Sequence, residues 1–181
     1  MNLACVRGDR ELFRGVNFSL EEGGLMQVRG PNGSGKTSLL RMLCGLSNPA
    51  AGEIRWRGTA IRSLNGDYFA DMTYIGHLSG TKDDLTVIEN LLISSALAGF
   101  EIDMQQASEV LEYIGLGSRQ VLPVKVLSQG QRRRVALARL MVCKTSLWIL
   151  DEPLVALDVM AVKLIQELLE QHLKQGGMVV M

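Results

Sequence analysis

The residues best suited to chemistry lie in a glycine-rich run, Gly30-Pro31-Asn32-Gly33-Ser34-Gly35-Lys36-Thr37, which Ser38 follows. The run fits the pattern G-x-x-x-x-G-K-[ST], in which glycines let backbone N–H groups approach phosphate oxygens. Lys36 and the amino terminus of the helix expected from Ser38 onward would add positive potential. The alternative is an ordinary glycine-rich turn, but the apolar run at residues 25–29 predicts the preceding strand that the motif requires. We therefore expect a nucleotide-binding loop.

A second candidate is the acidic pair Asp151-Glu152, which directly follows the apolar run at residues 147–150. A run without polar alternation is typical of a strand buried on both faces, and ligands bind at the carboxyl ends of such strands. In phosphate-loop proteins the Thr of the loop and an Asp on another strand hold Mg²⁺, which predicts Thr37 and Asp151 as the metal ligands. Glu152 is then expected to orient or deprotonate an attacking water. The alternative is a pair of solvated loop residues.

A third candidate is the segment Ser128-Gln129-Gly130-Gln131, in which Ser128 and Gln131 have the spacing of a capping box. It predicts the start of a helix, whose free N–H groups attract anions. A plain helix cap is the alternative, with the arginines at 132–134 on an exposed helical face. Because the segment lies among helical patterns, it need not reach the phosphate loop of its own chain.

The elements that position these residues are predicted from hydrophobic periodicity. Apolar runs at residues 25–28, 72–75, 147–150 and 178–181 alternate with helical patterns, which indicates an α/β fold with a parallel sheet. Residues 77–141 carry mainly helix signals, such as the capping box from Thr86 to Glu89 and the cap Asp103. We expect one domain over residues 1–181, with a core at about 1–76 and 142–181 and a helical subdomain at about 77–141.

Composition excludes several classes of function. The 181 residues carry 19 basic and 19 acidic side chains, so the chain lacks a general affinity for polyanions and nucleic acid is not an expected partner. The three cysteines, Cys5, Cys44 and Cys143, lack metal-ligand spacing. The sequence shows no signal-peptide pattern and no apolar stretch of about 18 residues, so we expect a cytosolic chain unless a partner holds it at a membrane.

Together these motifs resemble the nucleotide-binding subunits of ABC transporters across essentially the whole chain. Residues 30–37 match the Walker A loop, 127–131 the signature usually written LSGGQ, 147–152 the Walker B strand, and 156–158, ending at Asp158, the D-loop. The resemblance implies a P-loop NTPase (RecA-like) core of ABC ATPase type with an N-terminal antiparallel β element and a helical insertion.

The resemblance also implies a partner and a substrate. Two copies of such chains pair head to tail, with ATP and Mg²⁺ between the Walker A loop of one copy and the signature segment of the other. Lys36 would hold the β- and γ-phosphates, and Ser128 with Gly130 would contact the γ-phosphate across the interface.

Within the family, residues 127–140 and 147–153 and the run Tyr74-Ile75-Gly76-His77 are similar to the ATP-binding subunits of haem exporters for cytochrome c maturation. This similarity implies ATP hydrolysis that drives haem export or delivery, integral membrane permease subunits as partners, and a peripheral location on the cytoplasmic face of the inner membrane. His77 stands where most ABC subunits have a glutamine that contacts Mg²⁺ and the attacking water, although it could merely end a strand. No Cys-x-x-Cys-His is present, so no direct haem site is evident.

Two positions depart from the family pattern. In the family, an aromatic residue upstream of the Walker A loop often stacks on adenine. In this sequence that position falls near Arg7, whose planar guanidinium can also stack on a base. The family's histidine that senses the γ-phosphate would fall a few residues beyond Met181, so we expect the sequence to be a fragment or an early-terminated product.

Three alternatives stay open at this point, and a fourth is disfavoured by the length of the chain. The chain could serve another ABC transporter, or bind ATP without turnover. A chromosome-maintenance or DNA-repair ATPase would need a long coiled coil between Walker A and the signature, for which there is no room. A small-molecule phosphotransferase would leave the signature segment unused.

Overall fold

Strands and helices alternate along most of the chain in the computed structural model, which describes residues 2–64 and 66–181. The strands are Leu3–Arg7 (β1), Arg10–Val16 (β2), Leu25–Met26 (β3), Arg55–Trp56 (β4), Thr59–Ala60 (β5), Met72–Ile75 (β6), Leu147–Leu150 (β7) and Met178–Val180 (β8). The α-helices are Lys36–Leu43 (α1), Gly66–Ala70 (α2), Val87–Leu97 (α3), Met104–Tyr113 (α4), Gln129–Val142 (α5) and Val159–Lys174 (α6). Short 3₁₀ helices span Ile61–Ser63, Gly117–Arg119 and Val124–Val126.

The centre of the fold is a four-stranded parallel sheet in the order β3-β8-β7-β6. Every residue of β7 and β8 is buried, as their continuous apolar runs predict. Strand β3 ends at Met26, earlier than the apolar run suggests, although the Val28 N–H still donates to the carbonyl of Met181 at 2.6 Å. The α/β fold class expected from the sequence is confirmed.

Helices cover both faces of this sheet. One face of β7 and β8 packs against the apolar side of α1, while the other packs against α5 and α6. The first group includes Leu39, Leu40, Leu43, Ile149 and Val180, and the second includes Leu137, Leu140, Leu150, Ile165, Leu169 and Val179. Because successive strand residues face opposite sides, the short strands supply both cores.

Two antiparallel strand pairs flank the central sheet. The pair β1-β2 is the N-terminal antiparallel element implied by the family resemblance. The pair β4-β5 was not predicted, and its turn is formed by Arg57 and Gly58, with φ angles of 47° and 83°. Two successive positive φ angles are typical of the type I′ hairpin turn.

Helices α3, α4 and α5 enclose a separate hydrophobic core. It contains Val87, Leu91, Leu111, Leu116, Val124, Leu127, Val135 and Ala138 among its buried members. The capping boxes expected at Thr86 and Ser128 are both present, and Asp103 forms one with Gln106. Helix α5 belongs to this core through Val135 and to the sheet core through Leu137, so it joins the two. The boundaries of the helical subdomain near residues 77 and 141 stay a prediction.

The start of α5 packs closely on the loop that follows β7. A Cβ atom added at Gly130 would lie 2.4 Å from the carbonyl oxygen of Ala156, which itself has a φ of 64°. One turn later, the Arg134 guanidinium forms an ion pair with Asp158, and the Asp158 side chain also caps α6. The signature segment and the D-loop segment are therefore in direct contact within one chain.

Within the described ranges, no helix has the length and hydropathy needed to cross a membrane.

Trp148 of β7 and His172 of α6 stack their rings, with centroids 3.7 Å apart and planes 4° from parallel. The neighbouring Gly177 leaves room for the imidazole, because a Cβ there would lie 2.3 Å from it. Burial lowers the pKa of His172 below its ordinary value, although backbone groups of Met178 and Ser146 partly oppose this effect. The folded protein therefore prefers the neutral imidazole.

Replacing Gly130 by Ala should lower the free energy of unfolding by about 1–3 kcal/mol, because the new methyl group meets a backbone carbonyl that cannot rotate away. Gly66→Ala is the matched control, since no atom lies within 4 Å of a Cβ there. Denaturant unfolding of both variants measures the difference, and equal stabilities would contradict the contact.

The free energy of unfolding should fall as the pH drops below about 6.5, since the unfolded chain then binds a proton at His172 that the folded chain resists. His172→Phe should remove this part of the pH dependence while it preserves a ring on Trp148. Denaturant unfolding at several pH values between about 7.5 and 5.5 tests the expectation. The same slope in wild type and variant would show that His172 does not cause it.

Candidate nucleotide-binding and hydrolytic site

The glycine-rich run forms a tight loop that leads into α1. Gly33 and Gly35 have φ angles of 78° and 97°, which side-chain-bearing residues rarely adopt. A Cβ at Gly35 would also lie 3.0 Å from Cδ1 of Phe13. The loop is therefore held on one side by β2, and glycine is required at Gly35 for both backbone conformation and space.

The ammonium group of Lys36 lies over its own loop. Its Nζ donates to the carbonyl of Gly30 at 2.9 Å and to that of Pro31 at 3.2 Å. Thr37 and Ser38 follow in the first turn of α1, where backbone N–H groups have no partner within the helix. The loop thus gathers one positive charge, a helix amino terminus and a hydroxyl, which together suit the phosphates of a nucleotide.

Asp151 lies at the carboxyl end of β7 and is 3% exposed. Its backbone N–H donates to the Ile75 carbonyl at 2.8 Å, while its Oδ2 is buried without a hydrogen-bond partner among the described residues. An unpaired buried carboxylate oxygen is costly unless a cation or water satisfies it. The position therefore fits a metal ligand.

A metal at Asp151 would need ligands from outside the protein. The described residues contain no group of three or more His, Cys, Asp or Glu side chains that could hold a metal ion. Mg²⁺ commonly binds through one or two protein groups together with substrate phosphates and water. Asp151 with the Thr37 hydroxyl suits this arrangement better than it suits a metal held by protein alone.

Glu152 and His77 meet beside Asp151. Nδ1 of His77 lies 3.3 Å from Oε2 of Glu152, and their side chains are 62% and 46% exposed. The contact follows from the parallel pairing of Ile75 with Leu150, which places the next residues of β6 and β7 side by side. The structure thus brings together three of the residues that the sequence singled out, in a place open to solvent.

The signature segment forms the amino terminus of α5. Gln131 donates its N–H to Oγ of Ser128 at 3.3 Å, and Ser128 donates its N–H to Oε1 of Gln131 at 3.0 Å. The backbone N–H groups of Gln129 and Gly130 lie in the first turn, where a helix provides no acceptor. In the part of the chain that the structure describes, no hydrogen bond or ion pair joins this segment to residues 30–37.

Two other sequence candidates lie apart from this cluster. Arg7 is exposed at the end of β1, where it pairs in register with Arg10. Asp158 caps α6 through its bond with the Ala161 N–H and pairs with Arg134. Phe13, which was not predicted from the sequence, lies beside the glycine-rich loop at Gly35.

Arg133 was not among the site residues predicted from the sequence. Its side chain is not part of an exposed face: the residue is only 5% exposed, and its guanidinium bonds to backbone carbonyls at the acidic end of the sheet. A signal was present, because Arg133 precedes Ala136, Leu137 and Leu140 at the spacing of one helical face.

The family of the chain follows from comparisons with known proteins. Residues 13–155 match the ABC transporter family. The chain is 71% identical over 181 residues to the cytochrome c biogenesis ATP-binding export protein CcmA of Nitrosospira multiformis, with 100% of this chain and 88% of that protein covered. Proteins of the same name from Nitrosomonas europaea and Pseudomonas aeruginosa are 65% identical (99% and 84% covered) and 43% identical (100% and 89% covered).

Solved structures show the same fold. A dimeric ATP-binding cassette in a post-hydrolysis state, bound to ADP and Pi, has a TM-score of 0.84 at 24% identity, with 99% of this chain and 84% of that chain covered. The ATP-binding subunit of an ABC transporter has a TM-score of 0.85 at 22% identity, with coverage of 99% and 76%. This chain therefore belongs to the ABC transporter family, as an ATP-binding subunit of the cytochrome c biogenesis export type.

Proposed function

We propose that this chain hydrolyses ATP to drive export for cytochrome c biogenesis, with haem export or delivery as the transport task. The observation that carries the proposal is the contact between His77 and Glu152 beside the unpaired Asp151 carboxylate. These groups lie in a chain whose phosphate loop can hold a nucleotide. The cytochrome c biogenesis export proteins that the chain resembles support the transport task.

Each site residue has a distinct role in the proposed reaction. Lys36 exchanges its loop carbonyls for the β- and γ-phosphate oxygens, and Thr37 with Asp151 would hold Mg²⁺. A metal ion held there would supply positive charge against the negative charge that develops on the phosphate oxygens. Glu152 orients a water molecule and accepts its proton as the water oxygen bonds to the γ-phosphorus. The bond from the γ-phosphorus to the bridging oxygen breaks, which yields ADP and phosphate.

His77 lies close enough to Glu152 to hold that carboxylate or the same water. The imidazole thus takes the place of the glutamine that the general family uses. Arg7, at the open end of β1, would stack on the adenine.

A second copy of the chain completes the site in this proposal. The free N–H groups at the start of α5 and the Ser128 hydroxyl suit an anion, and within the described residues they have no bond to the loop at 30–37. A head-to-tail pair would bring them to the γ-phosphate of the partner's ATP. The motion of this pairing would be passed to integral membrane permease subunits. Contact with those subunits would place the chain at the cytoplasmic face of the inner membrane as a peripheral subunit.

Lys36→Ala should weaken ATP binding by about 10- to 100-fold, because a charged hydrogen bond to phosphate is worth roughly 1.5–3 kcal/mol. Isothermal calorimetry measures the change. Lys144→Ala is the control, since that exposed lysine lies just before β7, at the opposite edge of the sheet. Retained affinity in Lys36→Ala would count against the phosphate-loop assignment.

Glu152→Gln should preserve ATP binding but abolish most turnover, because only the chemical step needs the carboxylate. ATP should then trap a dimer, which size-exclusion chromatography with light scattering would detect. Glu167→Gln, at an exposed position of α6, should hydrolyse ATP normally. Undiminished turnover of Glu152→Gln in the full-length chain would remove Glu152 from its role.

The same variant tests the transport task in cells. A strain without this gene should lose its c-type cytochromes, and the wild-type gene should restore them while the Glu152→Gln gene should not. Normal c-type cytochromes in the deletion strain would refute the assignment to cytochrome c biogenesis and leave the ATPase assignment intact.

A further inference from the structure

The buried guanidinium of Arg133 joins two strand ends that carry the hydrolytic residues. Nη1 donates to the Gly76 carbonyl at 2.6 Å, and Nη2 donates to the carbonyls of Asp151 at 2.6 Å and Glu152 at 2.9 Å. Nε points to the Pro153 carbonyl at 3.4 Å. We propose that Arg133 is a positioning residue that holds Glu152 and His77 in their hydrolytic arrangement. This inference rests on the proposed function.

The position of Arg133 is costly for a charged side chain. The residue is 5% exposed, and burial lowers the pKa of its guanidinium, although the charges of Asp151 and Glu152 oppose that effect. It satisfies its donors mainly with backbone carbonyls, which cannot neutralise its charge. An apolar side chain could fill the same space without this desolvation cost. The geometry that the guanidinium imposes on the backbone accounts for its presence.

The backbone that Arg133 binds is the backbone that aims the two side chains. Gly76 directly precedes His77, and Glu152 is bound at its own carbonyl. Glu152 has a φ of 50°, a left-handed conformation that costs a non-glycine residue about 1 kcal/mol or more. Charge-assisted bonds to the carbonyls on either side of this residue oppose its relaxation. The 3.3 Å approach of His77 to Glu152 therefore depends on a group that touches neither side chain.

Arg133 also connects the carboxyl ends of β6 and β7 to α5, the helix that begins at the signature segment. It lies in α5 only a few residues after Ser128, whose side chain caps that helix. Because Leu137 and Leu140 anchor the same helix to the sheet core, the helix and the strand ends form one packed unit. The position of the signature segment and the aim of Glu152 are thereby set together.

The test compares Arg133→Gln and Arg133→Lys with Arg139→Gln in the full-length protein, purified together with its membrane subunits. Arg139 is the matched control, because it lies in α5 and also has a buried Nε. Arg133→Gln should keep its ATP dissociation constant within about threefold, while kcat falls about 10- to 100-fold, as expected for a small displacement of a reacting group. Arg133→Lys, which retains the charge but not the planar fork, should recover part of kcat.

A double-variant measurement separates positioning from general destabilisation. If Arg133 acts partly through His77, the double variant Arg133→Gln/His77→Ala should lose less kcat than the product of the two single losses. Equal kcat losses in Arg133→Gln and Arg139→Gln would overturn the proposal, and losses that multiply fully in the double variant would overturn its claim that Arg133 positions His77.

Hydrogen exchange gives a readout that does not require turnover. Arg133→Gln should accelerate exchange in the segments around residues 76–78 and 151–154, while Arg139→Gln should leave both unchanged. Unchanged exchange in the Arg133 variants would overturn the inference even if ATP is hydrolysed. A wild-type protein without ATPase activity would instead refute the proposed function, and the exchange data would still decide whether Arg133 holds the two strand ends. If Arg133→Gln does not fold, Arg133→Lys serves for both measurements.

Discussion

The parallel pairing of β6 with β7 is the constraint on which the site depends. Ile75 lies opposite Leu150, so the chain leaves both strands at the same level of the sheet. Gly76 and His77 then emerge beside Asp151 and Glu152. A shift of one residue in this register would exchange Leu147 and Ile149, which pack on the α1 side, with Trp148 and Leu150, which pack on the α5 and α6 side, so side chains of different shape would meet each core. Packing of the sheet therefore determines which polar residues meet at its edge.

The polar groups near that edge differ in whether they have a hydrogen-bond partner. Arg133 bonds to backbone carbonyls, and Lys36 bonds to the carbonyls of its own loop. The Oδ2 of Asp151, in contrast, is buried without a partner among the described residues. An ammonium group that bonds to loop carbonyls can bond to phosphate oxygens in their place, whereas an unpaired buried carboxylate favours the arrival of a cation. This difference gives the proposed site its readiness for a nucleotide together with a divalent metal.

Helix α5 connects the two halves of the molecule. Its first turn carries the signature segment, its middle carries Arg133, and its apolar positions belong to both the helical core and the sheet core. Gly130 and Arg134 add contacts with the segment that leads into α6. A ligand bound at the start of α5 would therefore contact a helix that packs on both cores and reaches the carboxyl ends of β6 and β7.

The sequence by itself was sufficient for the α/β class, the tight glycine-rich turn before α1, the buried strand before Asp151 and the caps at Thr86, Asp103 and Ser128. These features depend on local patterns, since glycine conformations, apolar runs and cap spacing act within a few residues of the chain. Arg133 shows where such reasoning ends. As one of three successive arginines, it was expected on an exposed helical face, because the sequence alone does not show which carbonyls of distant strand ends lie near it. The β4-β5 hairpin was missed for the opposite reason, since its strands are too short to show alternation.

Only the tertiary structure decided which residues meet. Three contacts join segments that are far apart in sequence. They are the contact of His77 with Glu152, the approach of Phe13 to Gly35 and the bonds of Arg133 to the strand-end carbonyls. Their geometry follows from strand register and core packing, which are properties of the whole chain. The sequence determined the chemical groups, because each type of side chain carries its own donors, acceptors and charge, whereas the fold determined their distances.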